Sequence, residues 1–289
     1  MRCIPFLFVA LPLASQPSET LTAESRLVMV NASVYDNQNH FHADMTAENF
    51  RVLDDGSEVA LASVGVEEVP LSAVILLDAS RSMHSSYDAA LDGLHRFLDK
   101  AQAGDEFCLL AFQDHEPADC RFERDPMKVR AQAAHIRPHG GTALGDALLA
   151  GLAMAKRSRN ARRVVLVLSD GLDNSSSHKW AEVRRMAVES TAAVYALNLP
   201  VWGDMDSWQT LRLRRLAEDT GGRLLAARNV KELPALLEHL EVRQQYVLTF
   251  VPPGATGHRT KHQVTVRLRG RAAEHLRVYW RHSYSTVVH

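Results

Sequence analysis

The sequence has little cysteine, three residues in 289, and few aromatics, at 7%. No CxxC pair occurs, so a zinc or dithiol redox site has no support. No apolar run reaches the roughly 20 residues that a membrane-spanning helix needs. A Gly-x-Ser-x-Gly nucleophile elbow is missing, as is a Gly-x-x-x-x-Gly-Lys-Ser phosphate loop. Neither sign of charge dominates. Against 33 basic side chains stand 34 acidic ones, a net charge of -1, which gives no electrostatic reason to expect nucleic acid as a partner. What remains is 46% hydrophobic and 23% charged, the composition of a soluble globular chain with one large domain or two small ones.

Residues 1–16 read as a secretory signal peptide. Arg2 supplies a minimal positive start, Ile4 to Ala14 is a short apolar stretch, and Ala14-Ser15 are small. The alternative is an opening strand or helix of the fold, which Pro5 and Pro12 disfavour as a helix. Export predicts a secreted or periplasmic location. It would leave Cys108 and Cys120 as an even pair. These are expected on two strands joined by a short turn, which leaves open both a disulfide and two buried thiols.

Three regions separate by pattern. Residues 24–69 alternate in short runs: Val28, Val30, Ala32 and Val34 on one side, Leu27, Met29, Asn31, Ser33 and Tyr35 on the other. Phe50-Arg51-Val52-Leu53 precedes the turn signal Asp54-Asp55-Gly56, and Val59 to Val64 resumes the strand pattern. Residues 70–243 alternate strands with helices. Ala73-Val74-Ile75-Leu76-Leu77 and Val164-Val165-Leu166-Val167-Leu168 are apolar throughout, as strands buried on both faces are. Helical spacing appears at Leu91, Leu94, Leu98 and Ala101, at Leu144, Leu148 and Leu152, at Trp180, Val183 and Ala187, at Trp208, Leu211 and Leu216, and at Val230, Leu233, Leu237 and Leu240. Residues 244–289 return to strands. The expected class is α/β: a mostly parallel central sheet with helices on both faces, inserted between terminal β-rich segments that pair into a small β-sandwich.

Three segments carry candidate chemistry. Asp78-Ala79-Ser80-Arg81-Ser82 places three oxygen-bearing side chains at alternate positions after a buried strand, where open α/β sheets bind ligands. Read alone, these residues could simply cap the next helix. Gly140-Gly141-Thr142-Ala143-Leu144 opens another helix, with glycines that permit positive φ and close backbone approach. Thr142 alone reads as an N-cap. Leu168-Ser169-Asp170-Gly171 puts a second carboxylate at a strand end, which alone is a turn residue before glycine. All three in order at strand ends and helix starts are much harder to explain singly.

Together, the Asp-x-Ser-x-Ser, Gly-Gly-Thr-Ala-Leu and Leu-Ser-Asp-Gly segments resemble the metal-ion-dependent adhesion site of von Willebrand factor A domains. With its flanking β-rich segments, the chain is similar to the VWFA-related secreted proteins best represented in Acidobacteria. The resemblance implies a Rossmann-like fold and a metal shell of Asp78, Ser80, Ser82, Thr142 and Asp170. It implies Mg2+, with Mn2+ or Ca2+ as alternatives, because hard cations take oxygen donors. One coordination position would be left to water or to a carboxylate of a partner protein. Two departures stand out. Arg81 replaces a common glycine, and Gly145 stands where an aromatic residue is frequent, which implies a more open mouth. Asp146 and Asp173 are expected as a first-turn carboxylate and a turn or outer residue.

His135 and His139 are four apart, but Pro138 breaks a helix between them, so they do not form a zinc pair on one helical face. The expected function is a binding module, not an enzyme, that grips an acidic partner through the metal. The alternatives are a metal-dependent hydrolase, which lacks an obvious general base beyond the ligands, and an accessory subunit of a cell-envelope assembly.

Overall fold

The computed structural model describes residues 27–114, 119–198, 208–227, 229–253 and 260–286. The expected signal segment lies outside them. The strands are β1 (Val28–Tyr35), β2 (Phe50–Asp54), β3 (Ser57–Val59), β4 (Leu61–Glu68), β5 (Leu71–Asp78), β6 (Glu106–Phe112), β7 (Arg162–Ser169), β8 (Ala193–Asn198), β9 (Leu224–Ala226), β10 (Gln244–Phe250), β11 (Thr260–Leu268), β12 (Arg277–Trp280) and β13 (Ser283–Thr286). The main helices are α1 (Tyr87–Asp99), α2 (Pro126–His135), α3 (Leu144–Lys156), α4 (Trp180–Ser190), α5 (Trp208–Asp219) and α6 (Leu233–Glu238).

β6-β5-β7-β8-β9 form one sheet in that order, every pairing parallel. The two apolar runs foreseen as doubly buried strands are its centre. Ala73, Ile75 and Leu77 face one core with α1, α2 and α6, while Val74 and Leu76 face the other with α3, α4 and α5. Period-two alternation therefore divides one strand between two cores, and both halves must be apolar. Each large side chain so buried contributes about 1.5–3 kcal/mol.

The terminal segments build two four-stranded antiparallel sheets, β12-β1-β10-β4 and β13-β11-β2-β3, each mixing strands from both ends of the chain. Val30, Val34, Val52, Tyr246, Leu248 and Val266 fill the core between them. Alternation in β1 holds only as far as Asn31: Val28 and Val30 are buried and Met29 is 70% exposed, but Ala32 to Tyr35 are all buried, Ser33 and Tyr35 of the other face included. Asp55 and Gly56 both have positive φ, 48° and 85°. Two such residues make the tight turn whose twist matches a hairpin, here pairing Asp54 with Ser57.

Some expectations change. The run from Val59 to Val64 is not one strand: β3 and β4 flank Ala60 and belong to different sheets. α5 turns a different face inward, with Thr210, Leu213, Leu216 and Ala217 buried and Trp208 and Leu211 59% and 47% exposed. Arg212 stacks 4.3 Å from the Trp208 ring, which gives that aromatic a cation partner on the surface. Cys120 lies outside any strand, because only Phe107 and Glu123 bridge across that stretch. It is nonetheless disulfide-bonded to Cys108, with Cα atoms 5.7 Å apart.

Candidate metal centre

Neighbouring parallel strands β5 and β7 end side by side and bring the first and third motifs together. Asp78 closes β5 and is fully buried; Asp170 follows β7 and is 8% exposed. Asp78 Oδ1 accepts the Ser80 N–H at 2.9 Å, and Oδ2 accepts the Ser169 hydroxyl at 2.6 Å. The Ser80 and Ser82 hydroxyls are 3.0 Å apart. Ser80 is buried and Ser82 half-buried.

The middle motif docks through its backbone. Arg81 N–H donates to Gly140 O, His139 N–H to Ala79 O and Ala143 N–H to Gln113 O. These bonds place the Gly-Gly-Thr loop beside the Ser80–Ser82 loop, and Thr142 is buried there. Gly140 adopts φ 72°, the conformation foreseen for a glycine at this point. At Gly141 a Cβ would lie 2.5 Å from Ser175 Oγ, so the close approach is real.

The electrostatics of this rim favour a cation. Burial is the largest cause that pushes Asp78 up to about 6, and the Asp170 charge adds to it against the hydrogen bonds from Ser169 and Ser80. Asp170 Oδ1 accepts the Leu172 N–H at 3.0 Å, but its Oδ2 is buried without a hydrogen-bond partner. A buried acceptor left unmade costs about 1–3 kcal/mol. Two carboxylates, one with an orphaned oxygen, beside serine hydroxyls suit a hard divalent ion. The residues present therefore fit the metal that the sequence implies.

Several supporting residues were not singled out in the sequence. Ser169 holds Asp78, and Asn174 Oδ1 accepts the Thr142 N–H at 2.9 Å. Ser176 Oγ accepts the N–H of Gly145 at 2.8 Å, and Asp173 Oδ2 accepts the same N–H at 3.2 Å. That corrects the open mouth expected at Gly145, since a Cβ there would meet Ser176 Oγ at 3.1 Å. Asp146 is more than a first-turn carboxylate. It accepts the Ser177 and His178 N–H groups, each at 2.9 Å, and so ties the loop after Asp170 to α3. Five small polar residues in a row, Asp173 to Ser177, were the available signal, because such side chains bond nearby backbone. His139 is exposed, its backbone at the rim, and α2 ends at His135 before Pro138.

A family model for the von Willebrand factor type A domain matches residues 73–173. The chain carries a von Willebrand factor type A domain. Around that domain, the fold is similar to the open conformation of the pilus adhesin SpaC from Lactobacillus rhamnosus GG, at TM-score 0.50 and 11% identity, over 86% of this chain and 47% of that one. It is also similar to a von Willebrand factor type A protein from Catenulispora acidiphila, at TM-score 0.49 and 14% identity, over 85% and 74% of the two chains. The vWF domain of the type V pili tip protein Mfa5 from Porphyromonas gingivalis gives TM-score 0.46 and 14% identity, over 60% and 94%. Among curated proteins none matches the chain.

A second metal-competent group lies in the sandwich. One ligand atom each from Asp54, Asp55 and His262 falls within 4.8 Å of the others. Hydrogen bonds account for this group as a turn clamp. Asp55 accepts the Gln263 N–H and pairs with His262 Nδ1, both at 2.8 Å, and Tyr284 donates to Asp54 at 3.0 Å.

Proposed function

We propose that this chain is a non-enzymatic binding protein that holds one divalent cation and uses it to grip a carboxylate of a partner protein. Asp78, Ser80, Ser82, Thr142 and Asp170 would hold the ion, Mg2+ first, with Mn2+ or Ca2+ as alternatives. The cation would supply a fixed positive charge with a position open to an acidic group. The observation that carries this reading is the buried Asp170 Oδ2, which has no donor and lies near a second buried carboxylate. Arg81 is exposed next to the donors, where it can add attraction for an acidic partner. The finer likeness to Acidobacteria-type VWFA-related proteins belongs to this reading, with residues 70–243 as the inserted domain and 24–69 and 244–289 as its flanks. An exported location, secreted or periplasmic, is supported by the Cys108–Cys120 disulfide, since such bonds persist in oxidising compartments. The donors are all ligand-type groups, and no observation of its own favours the hydrolase alternative.

Calorimetric titration of the metal-free protein with Mg2+, Mn2+ and Ca2+ tests the ion. Pull-down from the native envelope with and without chelator tests the grip. Metal uptake that survives Asp170→Asn and Ser80→Ala together would overturn the assignment, as would partner capture indifferent to chelator.

A further inference from the structure

A second site lies at the opposite end of the α/β sheet. Asp78 and Asp170 stand where parallel strands finish. The C-terminal ends of α4 and α5 return to the edge where the strands begin, and there they meet the β-sandwich. His282 N–H joins the sandwich to Asp219 O at the end of α5, at 3.2 Å. Between these elements is a cavity of about 690 Å³.

Its walls are basic. Arg184 and Arg185 come from α4, Arg215 from α5, Lys261 from β11, and Arg281 from the segment after β12. The two acids on the wall are already engaged: Glu189 with Lys156 and Asp219 with His282, each at 3.0 Å. Among the described residues, none of the five cations has a carboxylate partner. Counting the two acids against the five cations, and about half a negative charge for each of two helix C-termini, the cavity still keeps about two excess positive charges in a chain of net charge -1.

Arg281 is the deepest of the five. Its guanidinium reaches only the Val188 and Ala192 carbonyls, at 3.3 and 3.4 Å, both at the end of α4. Burial lowers it to about 10, so it is charged at neutral pH. A desolvated guanidinium without a counter-ion is costly, and a planar fork of donors is matched by carboxylate or phosphate oxygens. The four outer cations surround it from three different elements, so a ligand with several charges on adjacent groups satisfies more of them than a lone anion. Phosphate groups carry the highest charge for their volume.

We infer that this cavity is a binding site for a small polyanion bearing linked phosphate groups, with Arg281 as its anchor and Arg184, Arg185, Arg215 and Lys261 as its rim. The site is independent of the proposed metal centre.

Calorimetry on the full chain, in buffer free of divalent ions so that the probe is not sequestered, tests it with tripolyphosphate, pyrophosphate, orthophosphate and citrate. Tripolyphosphate and pyrophosphate are expected to bind, with affinity falling as salt rises. Arg281→Gln is expected to weaken tripolyphosphate about tenfold or more, the worth of a hydrogen bond to a charged group. The exposed pair Arg184→Glu and Arg215→Glu, which leaves the fold intact, is expected to abolish binding. Asp170→Asn is expected to leave it unchanged. The inference falls if tripolyphosphate does not bind at millimolar concentration, if the charge-reversed variant binds as well as the parent, or if orthophosphate or citrate binds as tightly as tripolyphosphate.

Discussion

Replacing Asp170 by asparagine should reverse sign with metal. In the metal-free protein Asp170 Oδ1 accepts from Leu172, and Oδ2 is a buried acceptor with nothing to accept, close to Asp78. Asparagine keeps the first bond, removes the charge, and puts an amide N–H where the orphaned oxygen was. The orphan costs about 1–3 kcal/mol, so the metal-free variant should match the parent or exceed it by about 1 kcal/mol. In metal the order inverts. A cation present at about a hundred times its dissociation constant stabilises the parent by about 2.7 kcal/mol. With about 2–4 °C per kcal/mol for a domain of this size, melting should rise by about 5–11 °C in the parent and not at all in the variant. Thermal denaturation of both proteins, in chelator and in saturating Mg2+ or Mn2+, gives the four values. A variant less stable than the parent in chelator, but equally stabilised by metal, would show that Asp170 is a structural turn residue and would refute the reasoning.

Four other outcomes are expected. In the sandwich, burial is the main cause that raises the Asp54 carboxyl above its ordinary value. A raised acid costs stability once pH exceeds its unfolded value. Asp54→Asn should therefore stabilise at pH 7 and lose that advantage below about pH 4, while Tyr284→Phe, which removes the hydrogen bond donated to Asp54, should cost about 1–3 kcal/mol at pH 7; urea melts at both pH values measure both. Changing Cys108 and Cys120 to serine opens a loop of sequence separation 12 and should cost about 3 kcal/mol in denaturant unfolding. Gly145→Ala should cost about 1–3 kcal/mol by crowding Ser176 and Asp173, with weaker metal uptake because the same loop carries Asn174. Arg243→Met should cost about 3–5 kcal/mol in urea melts, because it strands the buried Asp105 carboxylate that Arg243 grips with two nitrogens.

How much of this could be read beforehand depended on range. Ile75 and Leu166 announce doubly buried strands because nothing polar interrupts them, and Asp55-Gly56 announces a turn because few other pairs accept two positive φ angles. These are local rules. The sandwich was inferable only as a pairing of two ends, and its division at Ala60 was not, since Val59 and Leu61 look alike while going to different sheets. The outward face of α5 was lost for a similar reason: Trp208 and Leu211 are apolar, but the core keeps only Leu216 of that set and adds Thr210, Leu213 and Ala217. At the candidate site, the donors stood out by spacing. Their supports, Ser169, Asn174 and Ser176, did not, because their meaning lies in bonds to residues as far as 91 positions away.

The architecture separates two ends with different work. The α/β segment is entered at Leu71 and left before Gln244, and the strands flanking those points pair directly, Glu68 with Gln244. Both crossings thus lie at the edge where strands begin. Arg243 fixes one of them to Asp105, and Asp105 also accepts the Leu71 N–H at 2.8 Å, so one carboxylate holds the entry and exit together. Arg162, at the start of β7, adds bonds to Val242 O, Gln245 Oε1 and Tyr195 Oη at 2.6, 2.9 and 3.1 Å. An eight-residue strand such as β5 then spans about 25 Å to the opposite rim, where Asp78 stands. The sandwich is therefore anchored at the edge where the strands begin, while Asp78 and Asp170 stand where β5 and β7 finish. The polar loops there can change ligand without disturbing the buried Asp105–Arg243 joint.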